Sequence, residues 1–287
     1  MSSIYRKELR LYFTNMHGYI FGAFLTLVCG IFFYATNLLG GYPNFEYALE
    51  TTSFVFLLIV PIVTMKSIAE EKHQRTDQLL YSLPISSTDV ILGKFFALYT
   101  VFIVPLIIMC FYPIILSLFG EVNFGATYSC LFGFLLLGGA LISIGMFISS
   151  LTESQVIAAV LSFGTVLLLY LMSSLASLMP STATASLIAF SVVSLIVGGV
   201  AYLLSKDWWI AGCFAILCEI IVVWMYLQNK AVFAGLFPAV VSSLSVYEIY
   251  YNMSIGIFDL TAVVYFISIM IACLFFTVQS FDRKRYN

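Results

Sequence analysis

Apolar residues run along this chain in blocks of about 20, separated by short polar stretches. A helix advances about 1.5 Å per residue, so such blocks match the roughly 30 Å hydrocarbon layer of a membrane. The pattern predicts spans at 18–39, 53–69, 95–119, 126–150, 156–179, 183–204, 208–229 and 259–281. Strand-like alternation is missing, which disfavours a membrane barrel. The expected fold is therefore all-α: residues 1–287 as one polytopic helical bundle of eight spans. Two segments differ. In residues 1–16, Tyr5, Leu9, Tyr12 and Phe13 share one helical face while Arg6, Lys7 and Arg10 sit off it. That predicts an amphipathic helix lying in the membrane interface. Residues 231–258 are apolar but broken by Gly235, Pro238 and a serine cluster, and read as a re-entrant or interfacial segment on the outer side.

Composition sharpens this picture by exclusion. Hydrophobic residues make up 62% of the 287 and charged residues only 9%, with a mean hydropathy of +1.06. A soluble domain carries about 25% charged residues. Too few polar side chains remain to cover a water-facing surface, so a soluble enzyme is excluded. The six cysteines (Cys29, Cys110, Cys130, Cys213, Cys218, Cys273) all fall inside apolar runs without C-x-x-C pairing. They read as small core residues rather than a redox or zinc site.

The net charge of −2 says little, but the positions of the charges fix an orientation. With the N-terminus in the cytoplasm, eleven basic residues fall on the inner side: Arg6, Lys7, Arg10, Lys66, Lys72, Arg75, Lys94, Lys206, Arg283, Lys284 and Arg285. Only Lys230 falls outside. The positive-inside rule therefore predicts both termini in the cytoplasm of a cell that carries the chain in its inner or plasma membrane. Without two spans in 183–229, Lys206 moves outside and the ratio becomes 10 to 2, so charge separates six spans from eight only weakly.

No catalytic constellation is visible. His17 and His73 are the only histidines and have no metal-ligand spacing. Gly93-Lys94 lacks the upstream glycine of a phosphate-binding loop. No metal, nucleotide or nucleic acid is expected on this chain. Gly18 and Gly22 form a G-x-x-x-G pair that permits close helix approach and are the candidate subunit contact. Glu219 lies near the middle of a predicted span. Such a charge costs about 2.5–3.5 kcal/mol, so it is expected to be paired, facing water or a subunit, or protonated.

The densest polar segment is residues 66–94, with seven charges between Lys66 and Asp89. Thr76 is suited to cap a short helix ending near Leu83, where Pro84 interrupts it, and Ser86-x-x-Asp89 reads as a capping box opening the next span. Leu79, Leu80 and Leu83 would then form an apolar knob flanked by charges, suited to docking a cytosolic partner.

This loop resembles the signature of type-2 ABC-exporter permeases, approximately A-E-E-[KR]-x-x-G-T-x-E-L-L-x-x-x-P-[IV]-[ST]-x-x-x-[IV]-x-x-G-K-[FY]. Ala69, Glu70, Glu71, Lys72, Thr76, Leu79, Leu80, Pro84, Ile85, Ser86, Ile91, Gly93, Lys94 and Phe95 match in order. Arg75 stands where a glycine is usual and Gln78 replaces the usual acid. Gly145 to Ala159 is similar to the family's inner turn between its fourth and fifth spans, and Ser254 to Ser268 to the last-span entry of the gliding-motility-type branch. The resemblance covers about 1–180 and 235–287, leaving 183–229 as an inserted hairpin on a six-span core.

The resemblance implies a non-catalytic permease subunit whose first helix is the family's elbow. Its coupling helix, Thr76 to Leu83 with Glu70, Glu71 and Lys72 beside it, would seat in a separate ATPase that binds ATP and Mg. Two ATPases would pair with two permeases, the second a copy or a paralogue, within membrane lipid. Two rival readings remain open at this point: an ATP-independent secondary transporter or channel, and a membrane anchor for a cytosolic complex.

Overall fold

The computed structural model describes residues 1–75, 86–205, 208–228, 230–254 and 258–286. Helices make up most of the described residues, and there is no strand among them. The chain divides into two compact units, Met1–Tyr170 with Ile249–Asn287, and Leu171–Glu248.

In the first unit, α1 (Ser2–Thr14) precedes α2 (His17–Phe32), which continues as a wider π-type turn through Phe33–Leu39. Then come α3 (Glu46–Ser53), α4 (Phe56–Thr64), α5 (Ala69–His73), α6 (Ser87–Met109) and α7 (Tyr112–Leu116). The unit's long central helix is α8 (Phe124–Leu151), followed by α9 (Gln155–Leu178). The second unit holds α10 (Ala183–Ser205), α11 (Trp208–Gln228), α12 (Lys230–Phe233) and α13 (Leu236–Ser243). The chain ends with α14 (Val246–Ser254) and α15 (Leu260–Tyr286).

Among the described residues, five helical stretches are long and apolar enough to cross a membrane: Gly18–Leu39, Ser87–Leu116, Phe124–Leu151, Gln155–Leu178 and Leu260–Arg283. A sixth forms if Glu46–Ser53 and Phe56–His73, bent by 52°, count as one broken span. This is a polytopic membrane protein. The apolar stretches of the hairpin, Ala183–Gly199 and Ile216–Leu227, fall short of that length among the described residues. The stretch 40–52 between the first two predicted spans contains most of α3, and Glu46 is drawn into the bundle by a hydrogen bond from Thr127 Oγ1 at 2.9 Å. The helix that carries the span predicted at 95–119 begins at Ser87, where Ser86 accepts the Asp89 amide at 3.2 Å as the expected cap.

The first unit packs around α8, whose buried residues cover most of its length. Small residues on α8 let its neighbours close in without any hydrophobic drive from lipid. A Cβ at Gly139 would stand 2.9 Å from Met270 on α15 and from Tyr99 on α6, and one at Gly138 would overlap the Phe102 ring. Phe102, Phe56 and Phe134 stack beside this crossing, with centroids 5.6 Å apart for Phe56–Phe102 and 4.7 Å for Phe56–Phe134. Gly138→Ala is therefore expected to lower stability by about 1–3 kcal/mol through overpacking. Gly164→Ala, where a Cβ meets nothing within 4 Å, is the control. Unfolding of the purified protein in detergent distinguishes them: the first midpoint drops and the second does not.

Candidate functional site

One end of the first unit gathers buried polar groups from five segments. α1 lies across the start of α6 because Gly93 has no side chain: a Cβ there would sit 3.1 Å from Ile4 Cγ2. Ile4 and Glu8, four residues apart, are the buried positions of α1. This corrects the expected face, since Tyr5, Leu9, Tyr12 and Phe13 are only half-buried. A carboxylate thus points into the bundle, where Lys94 meets it.

Lys94 is 4% exposed and its ammonium has three acceptors. It donates to Glu71 Oε1 at 2.7 Å, to Glu8 Oε1 at 3.2 Å and to the Ser67 carbonyl at 3.0 Å. Lys7 stands 3.8 Å from Glu8 on the exposed side and supplies a second positive charge. One ammonium therefore joins three segments: α1 through Glu8, α5 through Glu71, and the turn at Ser67. Burying an ion pair costs desolvation of each charge. Complete hydrogen bonding is what makes such a cluster tolerable. Tyr12, packed beside it, has its phenol pushed well above the ordinary range by burial first and then by Glu8, Glu71 and Glu70, so its hydroxyl stays neutral.

The other face of α5 is fixed to the C-terminal end of α8. Ser149 Oγ accepts the Ala69 amide at 3.0 Å and the Ile68 amide at 3.3 Å. Lys72, also buried, donates to the Ser150 carbonyl, which takes a further bond from Ser280 of α15 at 3.3 Å. A cation at the C-terminal end of α8 is favoured by the helix dipole as well. Ser87 at the start of α6 donates to Asp282 of α15. The segment ahead of residue 76 is thus held to α1, α6 and α8, while the start of α6, after residue 85, is held to α15.

Of the predicted site residues, Glu71 and Lys72 are brought together in this cluster. Glu70 is turned outward and accepts Gln74 Nε2 at 3.3 Å. Thr76, Leu79, Leu80, Leu83 and Pro84 lie outside the described residues. Gly18 and Gly22 sit within the chain's own packing, Gly18 against the Tyr12 carbonyl and Gly22 against Pro105. Glu219 lies in the second unit between Ser191 and Ser194. Sequence reasoning passed over Glu8 and gave Lys94 no site role. Both carried a signal: a lone acid among the bases of α1, and the G-K pair of the loop signature.

Arg75 accounts for one departure from that signature. It closes α5 with φ of 56°, in the left-handed region that favours glycine. A glycine is usual at this position because the backbone needs that conformation, and the conformation is kept here with arginine. Arg75→Gly is expected to raise stability by about 0.5–1 kcal/mol, the relief of left-handed strain less the added freedom of the unfolded chain. A lower unfolding midpoint would contradict that.

A family model described as an ABC-2 family transporter protein matches residues 3–278. The chain belongs to the ABC-2 transporter family. The match spans a range that includes 183–229, so it reaches beyond the two segments that carried the sequence resemblance. ABC-2 permeases are membrane transport subunits, generally non-catalytic, that normally work with an ABC-type ATPase. No curated protein and no solved structure matches the chain. Among the described residues, no group of three His, Cys, Asp or Glu side chains could hold a metal ion.

Proposed function

We propose that this chain is the permease subunit of an ABC exporter, in which ATP hydrolysis on a separate ATPase moves a substrate across or out of the membrane. The observation that carries this reading is the three-way anchoring of Glu71 through Lys94 to Glu8 and the Ser67 carbonyl. A loop that only set topology would need no such anchor at its base. A loop that transmits force from a partner does need one, because displacement is passed on only through contacts that hold.

In this reading 66–94 is the coupling loop, with Thr76, Leu79, Leu80, Leu83 and Pro84 in a groove of the ATPase. That subunit, not this chain, binds ATP and Mg. Two ATPases serve two permeases, the second a copy or a paralogue, with both termini cytoplasmic. α1 is the elbow: Arg6, Lys7 and Arg10 line an open hollow of about 570 Å³ on its exposed side, suited to the headgroup layer. Closure of the ATPase pair pulls the loop; Glu71 and Lys94 carry the displacement to α1 and α6, and the spans change between two packings. The hairpin 183–229 is an addition to a six-span core, which gives eight spans. Residues 231–258 lie at the outer face, and the gliding-motility-type branch is the nearest pattern.

A photo-reactive residue at Leu79 tests this in the native host. A cross-link to a chain bearing a Walker motif is expected. Cross-linking only to lipid, or to proteins without a nucleotide site, would refute the assignment.

A further inference from the structure

Glu219 is the acid that the coupling account leaves unused. It sits on α11 against α10, half-buried, with exposed Ile216, Leu217, Ile220 and Ile221 flanking it. Ser191 Oγ lies 2.7 Å from Oε1, and Ser194 Oγ lies 2.6 Å from Oε2 and 2.8 Å from the Ser191 carbonyl. These are three short O···O approaches, each the length of an O–H···O hydrogen bond. Two serine hydroxyls supply only two protons. Each hydroxyl has one hydrogen to donate, so with an ionised carboxylate one approach lacks a proton of its own and Ser194 shares its hydrogen between Oε2 and the Ser191 carbonyl. A neutral carboxylic acid provides the missing one. Its Oε2–H donates to Ser194 Oγ, Ser194 donates to the Ser191 carbonyl, and Ser191 Oγ–H donates to Oε1. Every proton is then used once.

The surroundings favour the same state. The sequence of α10 carries no acid or base except Tyr202, and that of α11 adds only Cys213, Cys218 and Tyr226. The one cation on α12, Lys230, is 5.6 Å from the centre of the Tyr226 ring, three helical turns beyond Glu219. An ionised carboxylate in an apolar layer without a countercharge is strongly disfavoured.

We propose that the α10–α11 hairpin holds a proton on Glu219, bound between Ser191 and Ser194, and that this carboxyl is a modification site for apolar carbodiimides. The proposal rests on the reading of the hairpin as membrane-embedded. The chemistry balances within the two reactants. The acid proton passes to one carbodiimide nitrogen as the carboxylate oxygen bonds the central carbon. The resulting O-acylisourea rearranges by an oxygen-to-nitrogen acyl shift, so the protein gains one whole reagent with no leaving group.

The test treats the purified full chain in lipid nanodiscs with dicyclohexylcarbodiimide or with a water-soluble carbodiimide, and maps adducts by peptide mass spectrometry. Expected is an adduct at Glu219 from the apolar reagent alone, falling roughly tenfold per pH unit once the acid ionises. Glu219→Gln should abolish the adduct yet keep the fold, because the amide N–H donates to Ser194 and its oxygen accepts from Ser191. The Ser191→Ala/Ser194→Ala pair should retain labelling and raise the pH at which it falls, since the ionised form loses both hydroxyl donors. Absence of label at Glu219, or labelling equal with both reagents, overturns the proposal. Cys218 separates the two possible failures. If a water-soluble maleimide reacts with it, the membrane placement is wrong; if Cys218 is shielded and Glu219 still resists the apolar reagent, the proton assignment alone is wrong.

Discussion

Lys94→Met is expected to destabilise the protein by about 3–5 kcal/mol, the cost of leaving buried charge without its partner. Methionine fills the same space but leaves the Glu8 and Glu71 carboxylates and the Ser67 carbonyl without their shared donor. Glu8 is 6% exposed and cannot turn to water without moving α1 off Gly93 and Ile4's seat on α6. Denaturant unfolding in detergent measures the loss. The informative partner is Lys94→Met combined with Glu8→Gln and Glu71→Gln, which removes all three charges while keeping shape. Neutral replacement of a whole buried cluster is often tolerated, so this triple variant should recover most of the stability. It should not recover transport, because the link between loop and α1 would then be weak. If Lys94→Met unfolds like the wild type, the cluster is not the anchor described above.

The second large effect concerns assembly rather than folding. Leu79→Glu with Leu80→Glu places two carboxylates where the proposed docking knob is apolar. A buried unpaired charge in an interface core costs several kcal/mol, and a small apolar contact of this kind carries most of its binding energy in a few residues. The double variant is expected to lose at least roughly tenfold in affinity for the ATPase, since about 1.4 kcal/mol suffices for that factor. The membrane bundle should keep its unfolding midpoint. Assembly and turnover at wild-type levels would show that the knob does not dock.

Much of the fold was legible because lipid leaves a chain few options. Runs such as 126–150 and 156–179 had to be helices, and their ends agree with Phe124–Leu151 and Gln155–Leu178 within a few residues. The Ser86 cap was legible too, since a serine three residues ahead of an acid leaves a local signal that needs no tertiary context. Glu8 was not. A glutamate among Arg6, Lys7 and Arg10 reads as one more solvated charge, and only the crossing of α1 over Gly93 buries it. The same holds for α3: Glu46 lies between two predicted spans, and its hydrogen-bond donor Thr127 is 81 positions away. Lys94 was counted for its sign in the topology and matched in the signature. Its task of joining Glu8 to Glu71 depends on distances that spacing cannot encode. Arg75 shows the reverse case, where a departure from the signature became intelligible once the backbone angle was known.

The central claim is that this permease works through a separate ATPase. Gentle purification of the tagged full chain from its native host, with identification of every stoichiometric companion, tests it most directly. The account predicts an ABC-type ATPase that is lost from the Leu79→Glu/Leu80→Glu variant and retained by Glu219→Gln. An intact chain that comes out with no nucleotide-binding companion, whatever the variant, would contradict it.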